Sequence, residues 1–270
     1  MSRVFGMIVS TIWGSSRFRR LPDDTCRLGY LYVHTNPHGN SIGTYRLPIR
    51  YLSADMEKSD DEARRILDAM CEVDLIQYDH AENVVRIGNW FPFNPINSAK
   101  HLSGSVKSFS KLPEGTSFRG VVAAEIIAVA HKKARDLLKR GQAQVANPTS
   151  EKAIKAGQTN LESASIMLGL LSELKDAVSA KGRDDLIRSI MDHGPVIAEQ
   201  ICRDLEIWPS DTPIDTPIGT PIHAPRDTLD TEIETETDTG YATTPVEKSG
   251  KTLQSDIDEL NQRLRQRIEP

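Results

Sequence analysis

The stretch from Gly43 to Trp90 constrains the fold most, because short segments of different periodicity follow one another there with little chain between them. Ile42, Thr44 and Arg46 alternate with their neighbours as a short strand does. Pro48 suits the first turn of a helix, where its missing N–H costs nothing. Ile49, Leu52, Ala54 and Met56 follow at helical spacing, and Glu57-Lys58 turns the chain. Ser59 is the natural N-cap of a second helix, with Glu62 completing a capping-box pattern. Asp60, Asp61 and Glu62 fall in the first turn, where the helix dipole favours negative charge. Ala63, Ile66, Leu67, Met70 and Val73 then form one apolar face, with Arg64, Arg65, Asp68 and Glu72 opposite. Leu75–Tyr78 and Val84–Ile87 predict two strands, and Asp79–Asn83 predicts the hairpin loop between them.

Helix, turn, helix, hairpin is the order of a winged helix-turn-helix, which places its second helix in a DNA major groove and its hairpin over the backbone. On that geometry the DNA-contacting residues are Lys58, Ser59, Arg64 and Arg65 from the turn and second helix. Arg46 and Arg50 ahead of them and Arg86 on the hairpin complete the set. A protein-contact role stays open beside this one, since small helix-plus-hairpin units also serve as interaction modules. Three acids open the second helix, and Asp79 and Glu82 sit at the hairpin tip. Acids repel phosphates, whose neutralisation supplies most of the affinity in DNA binding.

The net charge of −5 is unevenly spread. Residues 1–120 hold 15 Lys+Arg and 13 Asp+Glu, residues 121–210 hold 12 of each, and residues 211–270 hold 6 and 13. The acidic excess therefore belongs to the tail, and the front of the chain is mildly basic, which is compatible with a nucleic-acid partner. Cys26, Cys71 and Cys202 are few, odd in number and far apart, as expected of reduced thiols in a cytoplasmic protein. The apolar run Met7–Trp13 is too short to span a membrane, and no small-residue cleavage pattern follows it. It reads as a strand, and the chain as a cytoplasmic one with no membrane partner.

In chain order, Arg17, Arg19 and Arg20 form a basic cluster that serves equally as a phosphate contact or a solvated turn. Pro22-Asp23-Asp24 opens a helix reaching about Thr35, with Cys26, Leu28, Leu31, Tyr32 and His34 on its inner side. Asn36–Asn40 is a turn. His34 and His38 are four apart, but Pro37 denies them a shared helix, so they predict no metal site. Three aromatics of Trp90–Phe93 point to packing rather than base stacking, and Lys100, His101, Lys107 and Lys111 lie on a Ser-rich stretch as an accessory backbone contact. A helix spans 117–140 with a basic end and a stop at Gly141. Residues 142–157 read as a linker. Strongly apolar helices follow at Asn160–Ala180 and Arg183–Trp208, the latter interrupted at Gly194-Pro195. They must pack on each other, on the 117–140 helix or on a second subunit, so a homo-oligomer is one expectation.

Beyond Pro209, Thr-Pro-Ile recurs at Thr212, Thr216 and Thr220, which excludes helix and favours extended chain. The acidic, Thr-rich run after it predicts disorder. Leu253, Ile257, Leu260 and Leu264 are spaced as the apolar stripe of a short amphipathic helix, suited to docking in a partner's groove. No phosphate-cradling loop, dinucleotide fingerprint, zinc-protease helix or nucleophile elbow occurs. The histidines do not gather with acids or cysteines at ligand spacing. The expectation is a non-enzyme without cofactor or metal.

Taken together, Ile12-Trp13-Gly14, Arg17-Phe18-Arg19, Leu31-Tyr32, Thr35-Asn36-Pro37-His38, Gly43, Tyr45-Arg46-Leu47-Pro48, Leu75–Asp79, Asn89-Trp90 and Asn94-Pro95 resemble the winged-helix domain of phage and prophage replication-initiation proteins. These resemble in turn the amino-terminal domains of primosome components that organise origins and help to load the replicative helicase. The resemblance covers roughly residues 7–115, and family members often carry a Pro-Ile-rich or Asp-Thr-rich tail. It implies a DNA-bound adaptor in the cytoplasm of a bacterial host, binding DNA through the winged helix and recruiting a helicase or helicase loader. The acidic start of the second helix and the helical region 142–207 depart from the family pattern. A transcriptional regulator on the same scaffold is the alternative, and an interaction module that never touches DNA is another. The expected class is mainly α with a small antiparallel β-wing. The expected domains are a winged helix-turn-helix over 1–115, a helical region over 116–208, a disordered linker over 209–250 and a short amphipathic helix over 251–270.

Overall fold

The structure, a computed structural model, describes residues 8–178 and 180–207. The expectations for 209–250 and for Leu253, Ile257, Leu260 and Leu264 lie outside the described residues. The protein is mainly helical, with ten α-helices and one three-stranded antiparallel sheet among the described residues. All of these fall in one compact unit, Met1–Pro209.

Met7–Trp13 reads as a strand in sequence, but the chain makes a 3-10 turn at Ser10–Gly14, closed by Ile12 N–H to Val9 O at 3.1 Å. A short apolar run cannot distinguish strand from helical turn by periodicity, and among the described residues no strand pairs with it. Helix α1 (Ser16–Arg19) follows and buries Phe18. Helix α2 (Asp24–Thr35) is capped by Asp23, whose side chain accepts from Cys26 N–H at 2.7 Å. Its inner face is Cys26, Gly29, Tyr30 and Val33, not the face expected: Leu28 is 54 % exposed. The reason is the crossing with the fourth helix, where a Cβ on Gly29 would stand 2.3 Å from Ile66 Cγ2. The helix turns to present its smallest residue at the point of closest approach.

Strand β1 (Thr44–Arg46), helix α3 (Ile49–Asp55) and helix α4 (Asp60–Glu72) come next, with β2 (Ile76–Asp79) and β3 (Val84–Ile87) closing the sheet in the order β1-β3-β2. Tyr45 and Tyr78 both lie opposite Val85. The two helices form where the spacing predicts. Leu52 of α3 and Ala63, Ile66, Leu67 and Met70 of α4 are fully buried, against α2 and the sheet. Asn83 occupies the left-handed region at φ 54° in the hairpin loop, a conformation asparagine tolerates better than most residues.

Helix α5 (Trp90–Phe93) buries Trp90 and Phe91, as packing would require. The Ser-rich stretch folds as α6 (Ala99–Ser110), an element absent from the sequence-based expectation. Its N-cap Ser98 accepts from His101 N–H at 3.2 Å, and Ser105, Ser108 and Ser110 return their hydroxyls to carbonyls four residues back. Serines satisfied in this way are tolerated within a helix whose apolar face is held by Leu102 and Phe109.

Helix α7 (Arg119–Ala146) runs through Gly141, and α8 (Glu151–Asp176) begins before the expected linker ends. Gly141 is a contact rather than a stop: a Cβ there would lie 2.7 Å from Leu161 Cγ and 2.9 Å from Gly157 O. Gly141 and Gly157 together let the two helix backbones approach. Helices α9 (Ala180–Met191) and α10 (Pro195–Leu205) break at Gly194-Pro195 as the sequence suggests, and α7 is the rod against which α8 and α9 pack. The buried carboxylate of Asp204 on α10 locks this region. It accepts from His131 Nε2 at 2.7 Å, Arg135 Nη1 at 2.9 Å and Gln200 Nε2 at 3.1 Å. Burial would lift its pKa, but the His131 hydrogen bond and charge and the Arg135 cation outweigh burial and hold it below the usual carboxylate value.

Two contacts bind the sheet to α7 and its N-terminal approach. Arg86 pairs with Glu125 of α7, and Asp79 accepts from Ser117 N–H at 2.7 Å while also receiving the N–H groups of Ala81 and Glu82. No helix of the described residues is long and apolar enough to cross a membrane.

Candidate nucleic-acid interface

The outward face of α4 is the surface that the helix-turn-helix order nominates. Its start is fixed by a complete capping box: Glu62 N–H donates to Ser59 Oγ at 3.2 Å, and Ser59 N–H donates to Glu62 Oε2 at 3.1 Å. The Ser59 N–H and hydroxyl hold the Glu62 carboxyl below its ordinary pKa, so this charge is firmly ionised. Ser59 is thereby committed to the cap rather than presented to a ligand.

The arginines of the helix are engaged locally. Arg64 pairs with Asp61 at 3.4 Å, and Arg65 reaches the α2 cap residue Asp23 at 2.9 Å. The Asp23 carboxyl is held low by the Cys26 N–H and by Arg65, and Arg65 in turn is raised, first by its hydrogen bond to Asp23. Around these two cations stand Asp60, Asp61, Glu62, Asp68 and Glu72, none of them buried. The field over the helix is negative. Exposed pairs of this kind are individually weak, so a polyanion could displace them, but the surplus carboxylates would remain.

The other candidate residues separate into two groups. Arg50 stands 3.8 Å from Asp60, and Arg86 is turned inward with its side chain 12 % exposed, held by Glu125 and by Gln77 at 2.9 Å. Arg46 and Lys58 are exposed and carry no ion pair among the described residues. The arrangement thus brings Arg64, Arg65 and Ser59 onto one helix, leaves Arg46 on a different face beside α6, and withdraws Arg86 into the sheet–α7 contact. Sequence reasoning missed Glu125 as the Arg86 partner, since nothing local links residues 39 apart. It also passed over Tyr51, which falls between the apolar positions Ile49 and Leu52 of α3 and is exposed.

No group of three or more His, Cys, Asp or Glu among the described residues is placed to hold a metal ion. The thiols of Cys71 and Cys202 are pushed up to about 11 by burial, so neither is an activated nucleophile. Comparison with protein-family models, curated proteins and solved structures returns no match for this chain.

Proposed function

We propose that this protein is a DNA-binding adaptor of phage or prophage-type replication initiation, built on a winged helix-turn-helix, that brings a replicative helicase or its loader to DNA. The observation that carries the reading is the element order α2-β1-α3-α4-β2-β3 with a β1-β3-β2 antiparallel sheet. A three-helix unit with a strand between its first two helices and a hairpin after its third supports the reading of a winged helix that offers its last helix to the major groove. The fitted N-cap of α4 and the short α3–α4 turn through Glu57 and Lys58 support it.

A second reading is favoured by the charge on α4: a protein-interaction module whose acidic helix face meets a basic partner. The two separate by titration. Full-length protein should bind labelled duplex or single-stranded DNA with an affinity that falls linearly in log–log form as salt rises, and addition of a bacterial replicative helicase should enlarge the complex. Absence of any DNA binding at low salt sinks the adaptor reading and leaves the interaction module.

A further inference from the structure

On the face that carries Arg46, a cleft of about 810 Å³ opens between the 38–41 loop, β1, the start of α3 and α6. Its character is opposite to that of α4. His38, Arg46, Tyr51, Gly104, Ser108 and Lys111 line it, and no carboxylate does among the described residues. Arg46 and Lys111 are exposed and pair with no acid among the described residues.

The cleft also presents aromatic surface that the core does not use. The His38 and Tyr51 rings stack at 4.5 Å with 25° between their planes, and Tyr51 remains 44 % exposed. The loop that carries His38 is rigidly made. Asn36 accepts from His38 N–H at 2.9 Å and donates to Val33 O at 3.2 Å and Tyr45 Oη at 2.6 Å, while Asn40 accepts from Ile42 N–H at 3.1 Å and donates to Thr44 O at 2.6 Å. Pre-ordered rings cost little further entropy when a planar ligand stacks on them. Gly104 opens the floor: a Cβ built there meets nothing within 4 Å.

Two unpaired cations beside exposed, pre-stacked rings match unpaired nucleotides, whose bases stack and whose phosphates seek positive charge. A duplex hides its base faces, so the rings would be idle against it. We infer that this cleft is where the chain grips single-stranded DNA, a base stacking on the Tyr51–His38 pair and the flanking phosphates meeting Arg46 and Lys111. The inference rests on the DNA-binding reading above and adds to its α4 surface a second one that takes single strands.

The test uses the full chain, labelled oligothymidylate, and its duplex with oligodeoxyadenylate, in a fluorescence-anisotropy salt series. Tyr51→Ala should weaken single-strand binding about 5- to 150-fold, the range for one stacked base. Arg46→Ala/Lys111→Ala should reduce the salt slope by about 1.4, two phosphate contacts' worth for a single strand. Gly104→Glu, placing a carboxylate in open space, should abolish binding while far-UV circular dichroism stays native. Arg188→Ala, on α9 and outside the lining of the cleft, should leave single-strand binding unchanged. Wild-type single-strand affinity in the folded cleft variants overturns the cleft and leaves the DNA-binding reading intact. No binding of the wild-type chain to either DNA overturns both.

Discussion

Gly141 tests the packing logic of the helical region through one methyl group. In an open helix interior, alanine is favoured over glycine by about 1 kcal/mol. At Gly141 the added Cβ would lie 2.7 Å from Leu161 Cγ, 2.9 Å from Leu161 Cδ2 and 2.9 Å from the Gly157 carbonyl oxygen. Carbon atoms rest at about 3.5–4.0 Å, so α7 and α8 must separate by roughly 1 Å along this seam. Neither neighbour yields easily: one contact is backbone, and Leu161 is buried. Overpacking of this kind costs about 1–3 kcal/mol, which exceeds or cancels the propensity gain. Gly169, exposed on α8 with nothing within 4 Å of its Cβ, is the matched control. Gly169→Ala should stabilise the protein by about 1 kcal/mol, and Gly141→Ala should fall below it by about 1–3 kcal/mol. The readout is the urea midpoint at unchanged m-value, or Tm, where each kcal/mol is about 2–4 °C for a chain of this size. Equal stabilisation by both substitutions would refute the account of Gly141 as a helix–helix contact.

Three further outcomes follow from named contacts. The Asp204 pKa is lowered on folding, so its ionised form stabilises the protein in full above the unfolded value near 3.8 and that contribution is lost as pH falls below it. Asp204→Asn should therefore flatten the acid limb of a stability–pH curve and cost about 3–5 kcal/mol at neutral pH by stranding His131 and Arg135. A fragment ending at residue 115 loses Glu125 and Ser117, leaving Arg86 and Asp79 without those partners. It should lack the sharp urea transition that a fragment spanning residues 8–207 retains, as followed by tryptophan fluorescence. Ser59→Ala removes the α4 cap and should lower stability by about 1 kcal/mol in chemical denaturation, with native circular dichroism at low denaturant.

What the sequence determined by itself is the set of features that depend on neighbours within about four residues. The Ser59–Glu62 box, the apolar stripe of α4, the hairpin and the Gly194-Pro195 break all arise from local hydrogen bonding and helical or strand periodicity, and each occurs where the residues indicate. Tertiary structure decided the rest. Gly141 carries the local signature of a helix end, yet the helix continues because α8 rewards a missing side chain at that point. The face of α2 that is buried was settled by the one glycine that fits Ile66. Arg86 looks like a free cation in sequence and becomes an internal tie because the fold brings Glu125 to it. The cleft exists only because α6, far along the chain from β1 and α3, shares one surface with them. Charge and ring positions acquire meaning from the neighbours that folding supplies, and those neighbours lie at sequence separations that no local pattern encodes.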